Sequence, residues 1–189
     1  MEPKLVLRPS TILFPLPAIM VSCGTMEQSN IITISWTGTV CSEPPMCYIS
    51  VRPERYSYKL IAEGLDFVIN LTNNSLAKET DFCGVKSGRD FDKFEHLKLT
   101  KIAGTLVKSP MIAEAPVNIE CKVVRVLPLG THDMFLAEVV AVHANQSLVN
   151  PITQAVDLRL ADLIVYNKGY YHGLSETYGS AGFTHKMNL

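Results

Sequence analysis

The most constraining feature of the sequence is a pair of long apolar segments separated by a very short connection. The segments are VNIECKVVRVLPLG at 117–130 and DMFLAEVVAVHA at 133–144. In the first, apolar residues such as Ile119 and Cys121 alternate with polar ones, which is the period of a strand with one buried face. The pattern predicts two long antiparallel strands joined through Gly130-Thr131-His132. We expect the intervening polar side chains to face away from the core: Asn118, Glu120 and Lys122.

Shorter segments of similar composition occur through the rest of the chain. β-branched and apolar residues predict strands at 18–24, 31–40, 46–51 and 66–71, with a possible last strand and turn at 162–174. YSYKLIAE at 56–63 is typical of a short helix. About six strands, two or three short helices and no strand–helix alternation argue against a doubly wound sheet. The pattern favours a mainly β, closed or nearly closed antiparallel barrel with short helical insertions.

Composition limits the classes of protein that the chain can belong to. With 189 residues, 47% of them hydrophobic, it can bury a core, and we expect a single domain spanning 1–189. A net charge of −1 argues against non-specific nucleic-acid binding and against a membrane surface protein. No leader sequence or membrane-spanning stretch is expected. Five cysteines without CxxC spacing predict buried, reduced thiols and a cytoplasmic location.

The segment VRPERYSYKL at 51–60 concentrates cationic and hydroxyl groups where a predicted strand ends and a helix begins. Arg52 and Arg55 carry planar forks of donors that suit phosphate oxygens, and Ser57 and Tyr58 add neutral donors. The amides at the start of a helix add partial positive charge. These groups predict a pocket for one phosphate. The alternative is a pair of surface arginines paired with Glu54 and Glu63, as exposed ion pairs are common.

Several other polar residues stand near strand ends or in loops. Arg89 and Lys93 are four residues apart, so one helical face can carry both. His132 lies in the connection between the two long strands. A histidine in such a loop is usually structural or faces the solvent, but it can also donate to a polar ligand atom or move a proton. The histidine and cysteine spacings predict no metal site. The remaining candidates are individually also typical of turns or strand edges: Asn30, Thr33, Ser35, Ser42 and Asn70.

Taken in order along the chain, five segments resemble the flavin reductase-like, FMN-binding split-barrel family, and most of all its flavoredoxin branch. The resemblance extends from about residue 15 to about residue 175 and is specific in the combination of its motifs. The segments are NIITISW at 30–36, SEPPMCYISVRPERYSYKLI at 42–61, FVINL at 67–71, CGVKSGRDFDKF at 83–94 and GTHDMFLAEVVAVH at 130–143.

The resemblance implies a split β-barrel that forms a homodimer, with FMN near the subunit interface. It implies that Arg52, Arg55, Ser57 and Tyr58 hold the flavin phosphate, and that Lys93 and Arg89 reach the flavin from the helical insertion. His132 would lie near the exposed face of the ring. The remaining implied contacts run along the flavin or stack near its ring: Asn30, Thr33, Ser35, Trp36, Ser42, Asn70 and Tyr171. The segments 145–163 and 176–189 depart from the familiar pattern.

Three functions are compatible with these expectations. The first is an NAD(P)H-dependent flavin oxidoreductase, in which the flavin carries the redox chemistry and His132 orients the ligand or moves a proton. The second is a flavoredoxin-like electron carrier that exchanges electrons with a redox protein partner. The third is a non-catalytic protein that binds or sequesters flavin.

Overall fold

The computed structural model describes residues 1–186, and this part of the chain is mainly β. The helices are α1 (Tyr56–Gly64), α2 (Ala77–Val85) and α3 (Lys93–Leu97), with four short 3-10 helices at Asn74–Leu76, Gln146–Leu148, Leu158–Ala161 and Phe183–Lys186. The strands are β1 (Leu16–Pro17), β2 (Ile19–Gly24), β3 (Ser29–Ile34), β4 (Thr37–Ser42), β5 (Pro45–Val51), β6 (Asp66–Leu71), β7 (Lys101–Ile102), β8 (Met111–Ile112), β9 (Val117–Pro128), β10 (Asp133–Ala144), β11 (Ile164–Asn167) and β12 (Tyr170–Gly173).

Seven strands form the principal sheet, in the order β3-β2-β6-β9-β10-β5-β4, and every neighbouring pair is antiparallel. β3 and β4 lie at opposite edges of this sheet, although only Ser35 and Trp36 separate them in sequence. Three peptide steps reach at most about 11 Å. The sheet must therefore curl until its two edges approach each other, which is the geometry of a barrel.

The connection at Ser35 and Trp36 also corrects the prediction of one strand over 31–40. The chain bends there, and the amide of Ser50 donates to the carbonyl of Trp36 (2.9 Å). If residues 31–40 formed one strand, the β4 residues would continue along the β3 edge of the sheet. The bend instead places them at the opposite edge, where β4 pairs with β5. Likewise, 162–174 contains the hairpin β11–β12 rather than a single strand. The described residues contain more strands than the six expected, because these two segments each divide into two strands and because β1, β7 and β8 are only two residues long.

The long hairpin β9–β10 is confirmed, but the prediction for its polar face holds only for Lys122, which is exposed. Asn118 and Glu120 are buried rather than exposed. The segment at residues 105–107 covers this face, and its three amides donate to the Glu120 carboxylate. The same carboxylate contacts His143 Nε2 at 2.6 Å.

The core lies inside the curled sheet and beneath α1. Ile49, Phe67 and Phe135 have no exposed surface, and Ile61 joins them from α1. A second cluster packs α2 and α3 against the outer side of β2 and β3 through residues such as Met20 and Phe94. This packing fixes the ends of α1 and α2 relative to β3, and that arrangement shapes the site described below.

The cysteine prediction agrees with the structure. Cys23, Cys47, Cys83 and Cys121 are buried, Cys41 is partly exposed, and all five are free. Among the described residues, none of the helices has both the length and the apolar character needed to cross a membrane.

Candidate functional site

Two adjoining cavities open at the end of β5, between the strand β3 and the start of α1. The larger, here called the cationic pocket, has a volume of about 350 Å³. The smaller, here called the aromatic cleft, has a volume of about 180 Å³. Ile32, Arg52 and Arg55 line both, so the two cavities form one continuous groove.

The cationic pocket is built where three segments converge. β3 contributes Asn30 and Ile32; the β5–α1 junction contributes Arg52, Glu54, Arg55, Tyr56 and Ser57; and α2 with the following loop and α3 contributes Cys83, Lys86, Ser87, Gly88, Arg89 and Lys93. Five of these side chains are cationic and one is a carboxylate, although the whole chain has a net charge of −1. The pocket is therefore a local concentration of positive charge that suits an anionic group.

Arg52 and Arg55, the two arginines of the segment 51–60, lie at the mouth of this pocket. Arg52 is paired with Glu54 at 3.5 Å, and both side chains are about half exposed or more, so this ion pair is weak and leaves Arg52 able to bind a ligand. Glu63, the other partner that the alternative interpretation requires, is paired with Lys59 instead. Arg55 is the N-cap residue of α1, which places the helix amides beside the guanidinium groups.

The floor of the cationic pocket is a hydrogen-bonded polar layer. Asn30 Nδ2 donates to Ser57 Oγ at 2.7 Å, and both residues are buried. Lys93 is only 3% exposed, and its ammonium donates to the carbonyls of Ile31 (2.6 Å) and Cys83 (2.9 Å). Burial lowers the pKa of Lys93. Its third N–H donor is available to a ligand in the pocket.

The loop after α2 forms one wall and lies very close to the floor. A Cβ added at Gly88 would lie 2.3 Å from Asn30 Oδ1 and 2.6 Å from Tyr56 Cδ1, so any side chain here would force the wall outward. Arg89 crosses the same wall, and its guanidinium donates to the Glu54 carbonyl at 3.1 Å. Lys86, Ser87 and Gly88 are not among the predicted residues, because a glycine-containing loop of this spacing matches no established nucleotide motif. Tyr56, the first residue of α1, is also not among them.

The aromatic cleft has a different chemical character. Trp36 and His132 face each other with ring centroids 4.4 Å apart, and Thr33, Ser35 and Ile34 complete one side. The Thr33 hydroxyl is already bonded to the Thr80 carbonyl. Partial burial, together with the charges of Arg52 and Arg55, lowers the pKa of His132. The lowered pKa favours the neutral imidazole, and because Nδ1 lies 2.9 Å from the Thr131 hydroxyl, Nε2 is the nitrogen left for a ligand.

Four predicted residues lie outside the groove. Asn70 has no exposed surface and bonds within the core to Ser22 and Asn118, so its amide serves the fold. Tyr58 turns away, and its hydroxyl donates to Asp133 at 2.5 Å. Ser42 is exposed at the end of β4, opposite Pro45. Tyr171 lies on a neighbouring cavity beside Asp81.

The remaining predicted residues do converge on the groove. Those on the cationic pocket are Asn30, Arg52, Arg55, Ser57, Arg89 and Lys93, and those on the aromatic cleft are Thr33, Ser35, Trp36 and His132. A groove with a cationic end, an aromatic end and a buried polar floor suits an elongated ligand that carries an anionic terminus and a flat ring.

The chain belongs to the flavin reductase-like domain family, whose pattern it matches over residues 11–175. A flavoredoxin of Desulfovibrio vulgaris (Miyazaki F) has a similar structure, with 27% identity, a TM-score of 0.87 and coverage of 95% of this chain and 97% of that one. A flavoredoxin from Methanosarcina acetivorans has 26% identity, a TM-score of 0.90 and 98% coverage of both chains. An uncharacterized protein of Archaeoglobus fulgidus is 32% identical over 130 residues, which are 69% of this chain and 73% of that protein.

These similarities confirm the split antiparallel β-barrel that the sequence resemblance implied. They also agree with the membership of a flavin-binding family that the five sequence segments indicated.

Proposed function

We propose that the groove binds FMN, with the phosphate in the cationic pocket and the isoalloxazine ring at the aromatic cleft. The observation that carries this proposal is the set of five cationic side chains against one carboxylate at one end of the groove. Trp36 and His132 supply flat surfaces at the other end. Arg52 and Arg55 line both cavities and therefore lie where the phosphate and the ribityl chain would pass.

The residues of the groove fit the chemistry of such a ligand. A phosphate dianion needs several donors with positive charge, which Arg52, Arg55, Arg89 and the first amides of α1 provide. The Ser57 hydroxyl accepts from Asn30 and can still donate its own proton to a phosphate oxygen. When bound, FMN supplies the redox chemistry, namely acceptance of a hydride from a reduced nicotinamide and delivery of electrons to an acceptor.

The side chains of this protein would bind, orient and shield rather than react. Trp36 would cover one part of the ring and limit the access of water. His132, held neutral beside the arginines, would donate a hydrogen bond to a polar ring atom or hold a proton near it. We therefore propose an NAD(P)H-dependent flavin oxidoreductase that functions in the cytoplasm, the location being supported by five free cysteines.

Anaerobic mixing of the FMN-loaded protein with NADH or NADPH tests the oxidoreductase activity. We expect at least one of the two nucleotides to bleach the flavin absorbance within seconds, because the aromatic cleft is open beside Trp36 and His132. A protein that retains FMN while neither nucleotide reduces it would not be a nicotinamide-dependent reductase.

A second candidate is an electron carrier that keeps its flavin and receives electrons from a redox protein. The number of cations around the phosphate end favours it, because a carrier must retain FMN between reactions. The two similar structures are both named flavoredoxins. Weak and freely exchanging FMN in equilibrium dialysis would count against a carrier and would favour a reductase that uses flavin as a substrate.

We also propose that two copies associate through the outer face of the principal sheet. Phe135 and Ala137 are buried in the core, so the alternating positions Met134 and Leu136 point outward. Leu136 is in register with Tyr48 on β5, which extends the apolar surface across neighbouring strands. Partly exposed apolar side chains grouped on neighbouring strands mark a candidate interface.

Sedimentation equilibrium tests this association. The protein is expected at twice the mass of the 20.9-kDa chain, and Leu136→Glu is expected to shift it to a monomer, because the buried charge would lose its water. Lys59→Glu changes an exposed residue of α1 and is the matched control. A monomeric unmodified protein, or a dimer unaffected by Leu136→Glu, would contradict this interface.

A further inference from the structure

A third cavity adjoins the cationic end of the groove, between α2 and the β11–β12 hairpin. It has a volume of about 580 Å³, within the range of about 300–1,000 Å³ typical of sites for ligands of this size. We call it the side pocket. Its lining residues are Ala77, Lys78, Asp81, Phe82, Val85, Lys86, Gly169, Tyr170 and Tyr171.

The side pocket adjoins the cationic end of the groove and not its aromatic end. Lys86 lines both the side pocket and the cationic pocket, but it does not line the aromatic cleft. A ligand that continues beyond a phosphate in the cationic pocket would therefore pass Lys86 and enter the side pocket. A ligand that approaches the ring at Trp36 and His132 would enter from the opposite end.

The side pocket combines flat apolar surface with positive charge. Tyr170 is 71% exposed and Val85 is 67% exposed, so both offer apolar surface that the fold does not cover. Lys78 and Lys86 supply two ammonium groups. The Tyr171 hydroxyl donates to Asp81 Oδ1 at 3.4 Å, which holds that carboxylate against the hairpin. A purine ring needs an aromatic surface, and its phosphate needs a cation.

From this arrangement we infer that the side pocket binds the adenylate half of FAD, with Lys86 beside the pyrophosphate and the adenine against Tyr170. The inference rests on the proposed flavin site and adds a preference for the dinucleotide form of the flavin. A nicotinamide dinucleotide fits less well in this place, because its reactive ring must reach the aromatic cleft and its adenylate would extend from the other end of the groove.

Titration of the flavin-free protein with FMN and with FAD, followed by flavin fluorescence, tests the inference. We expect FAD to bind more tightly than FMN, and Tyr170→Ala to raise the Kd for FAD about tenfold, the magnitude of losing one stacked base. The Kd for FMN should change by less than about twofold in this variant, because FMN ends at the phosphate. Tyr178→Ala is the matched control, since Tyr178 is also exposed (88%) and lies outside the side pocket.

The outcomes separate this inference from the proposed function. If FMN binds but FAD binds no more tightly, or if Tyr170→Ala weakens both flavins equally, the adenylate site is wrong and the FMN site stands. If neither flavin binds, the proposed function fails and the adenylate site fails with it. Because Tyr170 is largely exposed, its replacement is not expected to change the folded structure.

Discussion

Replacing Arg52 and Arg55 together by alanine is expected to raise the Kd for FMN at least about 100-fold. Each charge-assisted hydrogen bond contributes about 1.5–3 kcal/mol, so the loss of two corresponds to at least about two orders of magnitude. Riboflavin has the same ring and ribityl chain but no phosphate, so its Kd should change by less than about threefold. Calorimetric titration of both ligands into both proteins measures the difference.

The control for this pair removes two positive charges elsewhere on the surface. Lys59→Ala with Arg159→Ala changes the net charge equally, and both residues are exposed and outside the groove. The control should bind FMN normally. If the Arg52 and Arg55 variant lost FMN and riboflavin equally, the arginines would act through the folded structure, and the assignment of the phosphate to the cationic pocket would be wrong.

The second large effect concerns stability. Glu120→Gln is expected to lower the free energy of unfolding by about 3 kcal/mol, because it removes the charge from several hydrogen bonds at a buried site. Glu120 is fully buried and accepts from the amides of Thr105 (2.8 Å), Leu106 (2.6 Å) and Val107 (2.9 Å). Urea denaturation measures the change. Glu63→Gln, an exposed carboxylate on α1, should change stability by less than about 0.5 kcal/mol.

The contribution of Glu120 to the free energy of unfolding should also depend on pH. Burial raises its pKa, but hydrogen bonds from the three amides and His143 outweigh this effect and lower the pKa below its ordinary value of 4.5. Because the pKa of Glu120 is lower in the folded protein than in the unfolded chain, its carboxylate stabilises the fold fully at pH values above the unfolded-state pKa. This stabilisation is lost as the pH falls through the pKa of the folded state. The stability difference from Glu120→Gln should therefore shrink below about pH 4. A difference that stayed constant on acidification would contradict this account.

Much of the strand pattern could be predicted because local periodicity determines it. The long hairpin shows alternation over many residues, and α1 begins directly after Arg55 as its composition indicates. The bend at Ser35 and Trp36 could not be predicted, since β-branched residues continue on both sides of it. It follows from closure of the sheet, which depends on strands far apart in the sequence.

The predicted site residues also differ in whether local sequence or contacts between distant segments determine their positions. Arg52, Arg55 and Ser57 come together because they are close in sequence at one strand–helix junction. The family resemblance assigned Asn70 to the ligand, but its hydrogen-bond partners come from distant segments that the sequence does not reveal, as with Ser22 on β2. Tyr58 faces away because one helical position from Ser57 turns the side chain by about 100°.

The contribution of the loop after α2 was missed for a related reason. Lys86, Ser87 and Gly88 carry no recognised phosphate motif, and they become wall residues only because α2 packs against β3. The loop backbone at Gly88 approaches Asn30 so closely that an added Cβ would lie 2.3 Å from Asn30 Oδ1. This contact depends on the tertiary structure and cannot be read from the local sequence. The prediction that one helical face carries Arg89 and Lys93 is wrong, because α3 begins at Lys93 and Arg89 lies in the preceding turn. Arg89 reaches the groove instead through its contact with Glu54.

Calorimetric titration of the flavin-free protein with FMN, with riboflavin as the comparison, tests the central claim most directly. The claim is that the cationic pocket holds the phosphate of a flavin whose ring lies at Trp36 and His132. We predict saturation at one FMN per chain and a Kd for FMN at least about 100-fold lower than that for riboflavin, the difference being the phosphate contacts. Absence of FMN binding, or equal affinity for the two ligands, would contradict the claim.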